Sequence, residues 1–408
     1  MNQSISPWLS AEQAAQLLGI KRATLYAYVS RGWVASRSAG PGREREYRRA
    51  DLEDLRGRGR ASQRGDRALR WGEPVLETSI TDMTPLGPVY RGVPVASLAS
   101  EGVSFERCAE LLWTGVLPAG DVSWVAALGE APDFGEIARW LPADASPASV
   151  ALLLVAAEGC RDSGRFEIAP EATLPRARRL IRLLAAGLAL PGSPSRAAQA
   201  WQARSVAEAV LCALGGRLDG VASLDTGLNL LADHELNAST FAARVVASTH
   251  ADVYACVQAG LAALSGPLHG AATDRVEAAL AEAGSPERAE RLVHERARRG
   301  ERIPGFGHPF YPDGDPRARL LFEAAWSLGP RNQELQTLDA LVGAMERSRR
   351  PAPNVDVGLV GLRAALGLPV GSAAGLFCVG RCAGWVAHVI EQQASGELLR
   401  PRARYKED

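Results

Sequence analysis

The chain has 408 residues, 47% of them apolar and 23% charged, with 46 basic residues against 46 acidic ones. That composition excludes a disordered, collagen-like or disulfide-dense chain, and it leaves room for two or three domains with a sizeable core. The zero net charge hides an asymmetry: residues 1–65 hold twelve Lys and Arg against six Asp and Glu, so a basic head precedes a mildly acidic body. A polyanion partner is expected for the head alone. The opening MNQSISPWLS lacks the basic-then-apolar pattern of a secretory leader, and no apolar run approaches the ~20 residues of a membrane span. The six cysteines (Cys108, Cys160, Cys212, Cys256, Cys378, Cys382) form no CxxC. They read as reduced, mostly buried thiols of a cytoplasmic protein, and Cys378 and Cys382 have only His388 nearby, too few ligands for a metal site.

The first predicted element is a helix from Ala11, because Ser10 and Gln13 fit a capping box. Ala14, Leu17 and Leu18 give it an apolar stripe, and Gly19 ends it. A second helix over Arg22 to Ser30 turns Leu25 and Val29 inward and leaves Lys21, Arg22, Thr24, Tyr26 and Tyr28 on the exposed face. Two short strands around Gly40-Pro41-Gly42 would form a wing, and a further helix would begin near Asp51. The head, residues 1–58, resembles the MerR/excisionase type of winged helix-turn-helix. The resemblance implies DNA contacts from Lys21, Arg22, Thr24 and Tyr26; alternatively the head is a three-helix knob that packs on the body or on a partner. The stretch RGRGRASQRGD reads as a Gly/Arg/Ser linker, placed at residues 59–72.

From there the chain runs in Ala/Leu/Arg/Glu segments with apolar spacings of three and four, broken by Gly and Pro. A little β structure is expected at PVLETSITDM and GPVYRGVPV, so the body is mainly α. Polar clusters interrupt the helices: ADHELNAST (232–240), GPLHGAATD (266–274), GFGHPFYPDGDPRARL (305–320), APNVDVGLV (352–360) and the tail LLRPRARYKED. In GPLHG a new helix is expected near Gly270, which puts His269 at a helix N-terminus, where the macrodipole would keep the imidazole neutral. In the 305–320 stretch, Gly305 and Gly307 bare the backbone around His308. Asp313 or Asp315 can cap a helix beginning at Pro316-Arg317. The run is a loop that aims His308 and Arg317 into one small space, suited to a small polycarboxylate.

At this point the body, residues 73–408, resembles the citrate synthase family. The carriers are ITDMTPLGPVYRGVPVASLA, ADHELNAST, GPLHGAA, GFGH…DPRA, NVD, GRCAGWVAHVIEQ and RPRARY, in the family's order. The resemblance implies a mainly α homodimer with a large domain and a small mobile domain, here about residues 275–375. It implies condensation of acetyl-CoA (or propionyl-CoA) with oxaloacetate and hydrolysis of citryl-CoA, with no metal or other cofactor beyond coenzyme A as part of the donor. By the same resemblance, Asp356 matches the carboxylate that deprotonates the acyl methyl and His269 the histidine that stabilises the enol. His308 matches the histidine that protonates the keto oxygen. His234, Arg317 and Arg381 match the oxaloacetate-binding set, and Arg400 matches an arginine inserted into the partner subunit's site. His294 and His250 read as helix-surface or packing residues, and His388 is given no chemistry. Two departures bear on the donor: bacterial members commonly carry Arg and Lys near the CoA nucleotide where this chain has Pro309 and Pro312. The winged head and those two prolines also support another class, a DNA-binding regulator whose body senses oxaloacetate, citrate or an acyl-CoA.

Overall fold

A computed structural model describes residues 7–30, 34–39, 45–52, 76–402 and 405. The chain divides into two compact units, residues 1–77 and 78–408.

In the first unit, Ser10 accepts a hydrogen bond from the Gln13 amide while the Gln13 side chain accepts from the Ser10 amide. This reciprocal cap starts the helix Ala11–Leu18, which ends where Gly19 takes a left-handed conformation (φ 67°). The helix Arg22–Ser30 follows. Strands Ser36–Ser38 and Arg45–Arg48 pair antiparallel as the expected wing, and Trp8–Ser10 adds a third strand on the far edge of Arg45–Arg48. That third strand was not anticipated, since three residues carry no periodic signal. Leu9, Ala14, Leu25, Val34, Tyr47 and Leu52 form the core. Tyr28, expected on the exposed face, instead packs half-buried against it. The wing turn at 40–42 and the linker at 59–72 lie outside the described residues.

The second unit is helical apart from a small antiparallel meander, Thr81–Thr84, Gly87–Tyr90 and Val93–Pro94, at the two predicted β stretches. Its centre is the 24-residue helix Ser372–Ser395. This helix corrects one expectation: with a mean hydropathy of 1.5 it is long and apolar enough to cross a membrane. However, 89% of that apolar window is buried inside the protein, as in a core helix. It packs on the helices Phe105–Thr114, Pro147–Arg161, Pro170–Gly187, Val221–Leu231, Ala238–Ala247 and Val253–Leu264. Small residues set how closely: a Cβ on Gly380 would meet Leu231 Cβ at 3.0 Å and Leu228 O at 3.1 Å. Between Gly380 and Gly384, Arg381 Nε then reaches Leu231 O at 2.7 Å. Close packing of two helices thus delivers a buried guanidinium to the carboxyl end of the Val221–Leu231 helix, just before His234.

The helices Ala272–Ala283, Pro286–Arg298, Gln333–Arg347 and Val355–Ala365 pack on one another, and Pro316–Trp326 lies against both Val355–Ala365 and Val221–Leu231. Arg363, buried, binds Glu277 and Glu334 and so pins three of these helices together.

Candidate active site

The 305–320 stretch is a loop zipped to a neighbouring segment. Gly305 and Gly307 have φ of 81° and 86°, values open to glycine and unfavourable for other residues. That backbone lets Asn354 N–H donate to Gly305 O and Gly307 N–H donate to Ala352 O, each at 2.8 Å, around a bridge between Phe306 and Pro353. A Cβ on Gly307 would press to 3.2 Å from Pro351. His308 is therefore fixed beside the start of the helix Val355–Ala365, whose first turn carries Asp356.

Of the two candidate caps, Asp315 is the one used. Its carboxylate accepts the Arg317 amide at 3.0 Å and the Val355 amide at 3.2 Å, so it caps two helices at once. It also forks the Arg317 side chain, Nε at 3.0 Å and Nη2 at 2.7 Å, with both side chains buried. Asp356 N–H donates to the Asn354 side chain at 3.0 Å, which caps the same helix.

Two turns complete the cluster. His234 follows the helix Val221–Leu231, and its ring centroid lies 5.6 Å from that of His308. His269 sits in a tight turn, with its helix starting at Ala272, two residues later than expected. His269 Nε2 is 2.8 Å from Ser239 Oγ, which accepts from Trp385 Nε1 at 3.2 Å. The His269 ring also lies edge-on to Phe377, with centroids 6.4 Å apart, and the Arg381 guanidinium lies over that phenyl at 4.8 Å.

The charges show that these groups share one space. Burial holds the His234 imidazole well below its ordinary range, and the positive Arg317 and Arg381, with His308 and His269, push the same way. His269 is lowered to about 4, by burial first and then by Arg381. Burial is thus the leading cause, where the sequence suggested a helix dipole, and the helix itself begins only at Ala272. His308 is lowered by burial and Arg317, with Asp315 opposing. Burial lowers Arg381 to about 10, with Arg317 adding to it. Asp356, half-buried, is raised to about 6 by burial; Asp315 adds to the rise, while Arg317 and Arg275 oppose it. The result is three imidazoles kept neutral near pH 7, two buried guanidiniums, and one carboxylate with enhanced basicity.

The structure thus brings together His234, His269, His308, Arg317, Arg381 and Asp356. Arg400 stands apart: it is exposed, and no hydrogen bond or ion pair reaches it among the described residues. Sequence reasoning missed the supports. Ser239 and Trp385 orient His269. His388 is fully buried against Asp233; Arg244 Nη1 donates to its Nδ1 at 3.1 Å, so its Nε2–H faces Asp233 Oδ2 at 3.3 Å. Asp233 also accepts from Thr81 at 2.6 Å, which ties the meander to the His234 turn. The i+7 spacing of Arg381 and His388 was the available signal. His294 is exposed on its helix, whereas His250 lies in an exposed turn with φ 59°. Four of the six cysteines are buried and all six are free.

In the head, Lys21, Arg22 and Tyr26 are exposed and Thr24 is half-buried. Arg22 pairs with Glu12 at 3.5 Å and Arg37 with Glu46 at 2.8 Å, so part of the positive charge is neutralised internally.

Comparison with known proteins gives the same picture. A family model described as "Citrate synthase, C-terminal domain" matches residues 69–402, and one described as "Helix-turn-helix domain" matches residues 8–60. The chain is 31% identical over 350 residues to a citrate synthase of Mycolicibacterium smegmatis, covering 82% of this chain and 93% of that protein. It is 30% identical over 361 residues to a 2-methylcitrate synthase of Mycobacterium tuberculosis, covering 82% and 88%. Among solved structures, the Thermoplasma acidophilum citrate synthase in a ternary complex with carboxymethyl coenzyme A and oxaloacetate superposes with a TM-score of 0.72 at 26% identity, over 82% of this chain and 94% of that one. With the family model spanning most of its length and the helical fold shared, this chain belongs to the citrate synthase family and carries a helix-turn-helix domain at its amino end.

Proposed function

We propose that the chain condenses a short acyl-CoA thioester with oxaloacetate and hydrolyses the citryl-CoA so formed, releasing coenzyme A. The observation that carries this reading is the meeting of Asp356, His269 and His308 with two buried guanidiniums in one space. The family needs no metal or other cofactor. Arg317 and Arg381, with His234, would hold the two carboxylates of oxaloacetate. Asp356 takes a proton from the acyl methyl, a very weak carbon acid, so an oxyanion partner must act in concert. His269 fills that role. Ser239 Oγ accepts from Trp385 N–H at 3.2 Å and donates its own proton to Asn237 Oδ1 at 2.7 Å. His269 Nε2, 2.8 Å from the same oxygen, is anchored on Ser239, which orients the ring for the thioester oxygen. For His308, Phe310 N–H donates to Nδ1 at 3.1 Å, so the ring proton sits on Nε2. That proton passes to the keto oxygen as the carbon–carbon bond forms.

Arg400 we assign to the neighbouring subunit's site in a homodimer, consistent with its exposure here. The packing helices at about 275–375 would form the small mobile domain. Purified protein given oxaloacetate with acetyl-CoA or propionyl-CoA should release free thiol only when both substrates are present. A wall that separates the two donors discriminates by ~1–3 kcal/mol per methylene, so turnover with both is expected at different kcat/KM. No thiol release with any short acyl-CoA would overturn the reading.

A second reading rests on the helix-turn-helix match at residues 8–60: the body senses one of these metabolites and the head binds DNA. Its residues would be Lys21, Arg22, Thr24 and Tyr26. One small head makes few phosphate contacts, and two on a dimer gain from effective concentration. The full chain should retain duplex DNA weakly and lose it as salt rises, with Arg22→Ala or Tyr26→Ala weakening retention severalfold. Equal retention by the full chain and by a chain beginning at Arg67 would exclude the head as the DNA reader.

A further inference from the structure

One aromatic beside His308 has no part in the chemistry above. A turn in which Tyr311 N–H donates to His308 O, and Gly314 N–H donates to Tyr311 O, folds the Tyr311 side chain inward. Tyr311 is 3% exposed. Its ring lies 5.1 Å from that of His308, 6.1 Å from that of His234 and 5.1 Å from that of Phe310. The ring is thus packed on both histidines that line the pocket. Its hydroxyl is fully enclosed, and no hydrogen-bond partner reaches it. His234 Nε2, in the same cluster, is enclosed and unpartnered as well.

Enclosed polar atoms in folded proteins are nearly always paired, because leaving one unpaired costs free energy. Phenylalanine would fill the same ring space without that cost. Two orphaned groups, from segments far apart in sequence, come together where Arg317 and Arg381 already supply positive charge. The Tyr311 hydroxyl lacks an acceptor, and what enters such a positively charged space is an oxygen-rich anion. Burial pushes the Tyr311 phenol up to about 12, so it keeps its proton at neutral pH and can only offer it.

We propose that Tyr311 is a substrate-binding residue whose hydroxyl donates a hydrogen bond to an oxygen of the bound 2-keto dicarboxylate, beside His234. This rests on the reading of the pocket as an oxaloacetate site. The hydroxyl adds a neutral donor to the two guanidiniums and selects an acceptor oxygen next to His308, where the keto group must lie for protonation.

The test is Tyr311→Phe in the full chain, which keeps the ring packing and removes only the hydroxyl. Without ligand, the variant should melt at the same temperature as the native protein or higher, since an unpartnered buried group is gone. Its oxaloacetate affinity, by calorimetric titration, should fall about tenfold, the loss of one buried hydrogen bond to the ligand. The KM for the acyl-CoA should not move. On the native protein, adding oxaloacetate should perturb the tyrosine ultraviolet difference spectrum, an observation that does not depend on the variant folding. Unchanged oxaloacetate affinity in Tyr311→Phe would overturn the proposal. So would a lower melting temperature with unchanged affinity, which would mean that the hydroxyl serves the free protein. If the native protein itself bound no oxaloacetate, the parent reading would fail and this proposal with it, a result distinct from one confined to the variant.

Discussion

Replacing Asp356 with alanine should lower kcat by about three orders of magnitude while oxaloacetate still binds. The carboxylate sits in the first turn of the Val355–Ala365 helix and is raised to about 6, by burial above all. A base of that strength suits proton abstraction near neutral pH, and only its ionised form can act. The native kcat/KM should therefore fall as pH drops through about 6 and level off above it. Stability should move the opposite way. A carboxyl whose folded pKa lies above its unfolded value of about 4 costs stability as pH rises between those two values, because the folded protein holds the proton more tightly. Asp356→Ala should then melt higher than the native protein above pH 6, and this difference should shrink toward acid. His269→Ala should share the kcat loss but show the opposite pH trend in stability: with the imidazole lowered to about 4, the native protein loses stability as pH falls below the unfolded value of about 6.5, and the variant escapes that loss only toward acid. Near-normal turnover in Asp356→Ala would remove it from the chemistry.

What could be read from sequence follows the range of the forces involved. The Ser10–Gln13 box and the Gly19 stop act within a few residues, and both appear where expected. The Asp315 cap was narrowed to two aspartates for the same reason, because it lies next to the helix it starts. The residues of the cluster were legible through motif context, yet nothing in their spacing shows that His234, Arg317 and Arg381 share one space. That requires Gly380 and Gly384 to bring two helices together. His269 shows the limit from another side. Its neutrality was anticipated but attributed to a helix dipole, whereas burial and Arg381 cause it, and burial is a property of the whole fold. Ser239 had no local signal at all, and His388 had only its i+7 spacing from Arg381; their partners come from elements far away in the chain.

Arg317→Ala should have the largest effect on substrate affinity, raising the oxaloacetate KM by roughly a hundredfold and lowering kcat as well, because one hydrogen-bonded charge is lost and the keto carbon is misplaced. Arg317 is 2% exposed, and its fork with Asp315 has both partners buried. Asp315 caps the Pro316–Trp326 helix and also accepts the Val355 amide. Removing the guanidinium strands that carboxylate, a type of change that costs about 3–5 kcal/mol. The two amides that remain should hold the loss toward the lower end. The sign of the pH dependence separates the effects. In the native protein, burial would raise the Asp315 carboxyl, but Arg317 overrides it and holds it low. That contribution to stability is present above the unfolded value of about 4 and is lost as pH falls through the folded one. Without Arg317 the carboxyl should titrate high, so the variant should lose stability as pH rises from 4 toward neutrality, the reverse of the native trend. Arg317→Lys keeps a charge but not the planar fork, so it should recover most of the stability and little of the oxaloacetate affinity. If instead lysine restored both, the site would need only a positive charge there. If Arg317→Ala left the oxaloacetate KM unchanged, the buried pair would be a helix-capping device alone, and the keto acid would be held by Arg381 and His234 without it.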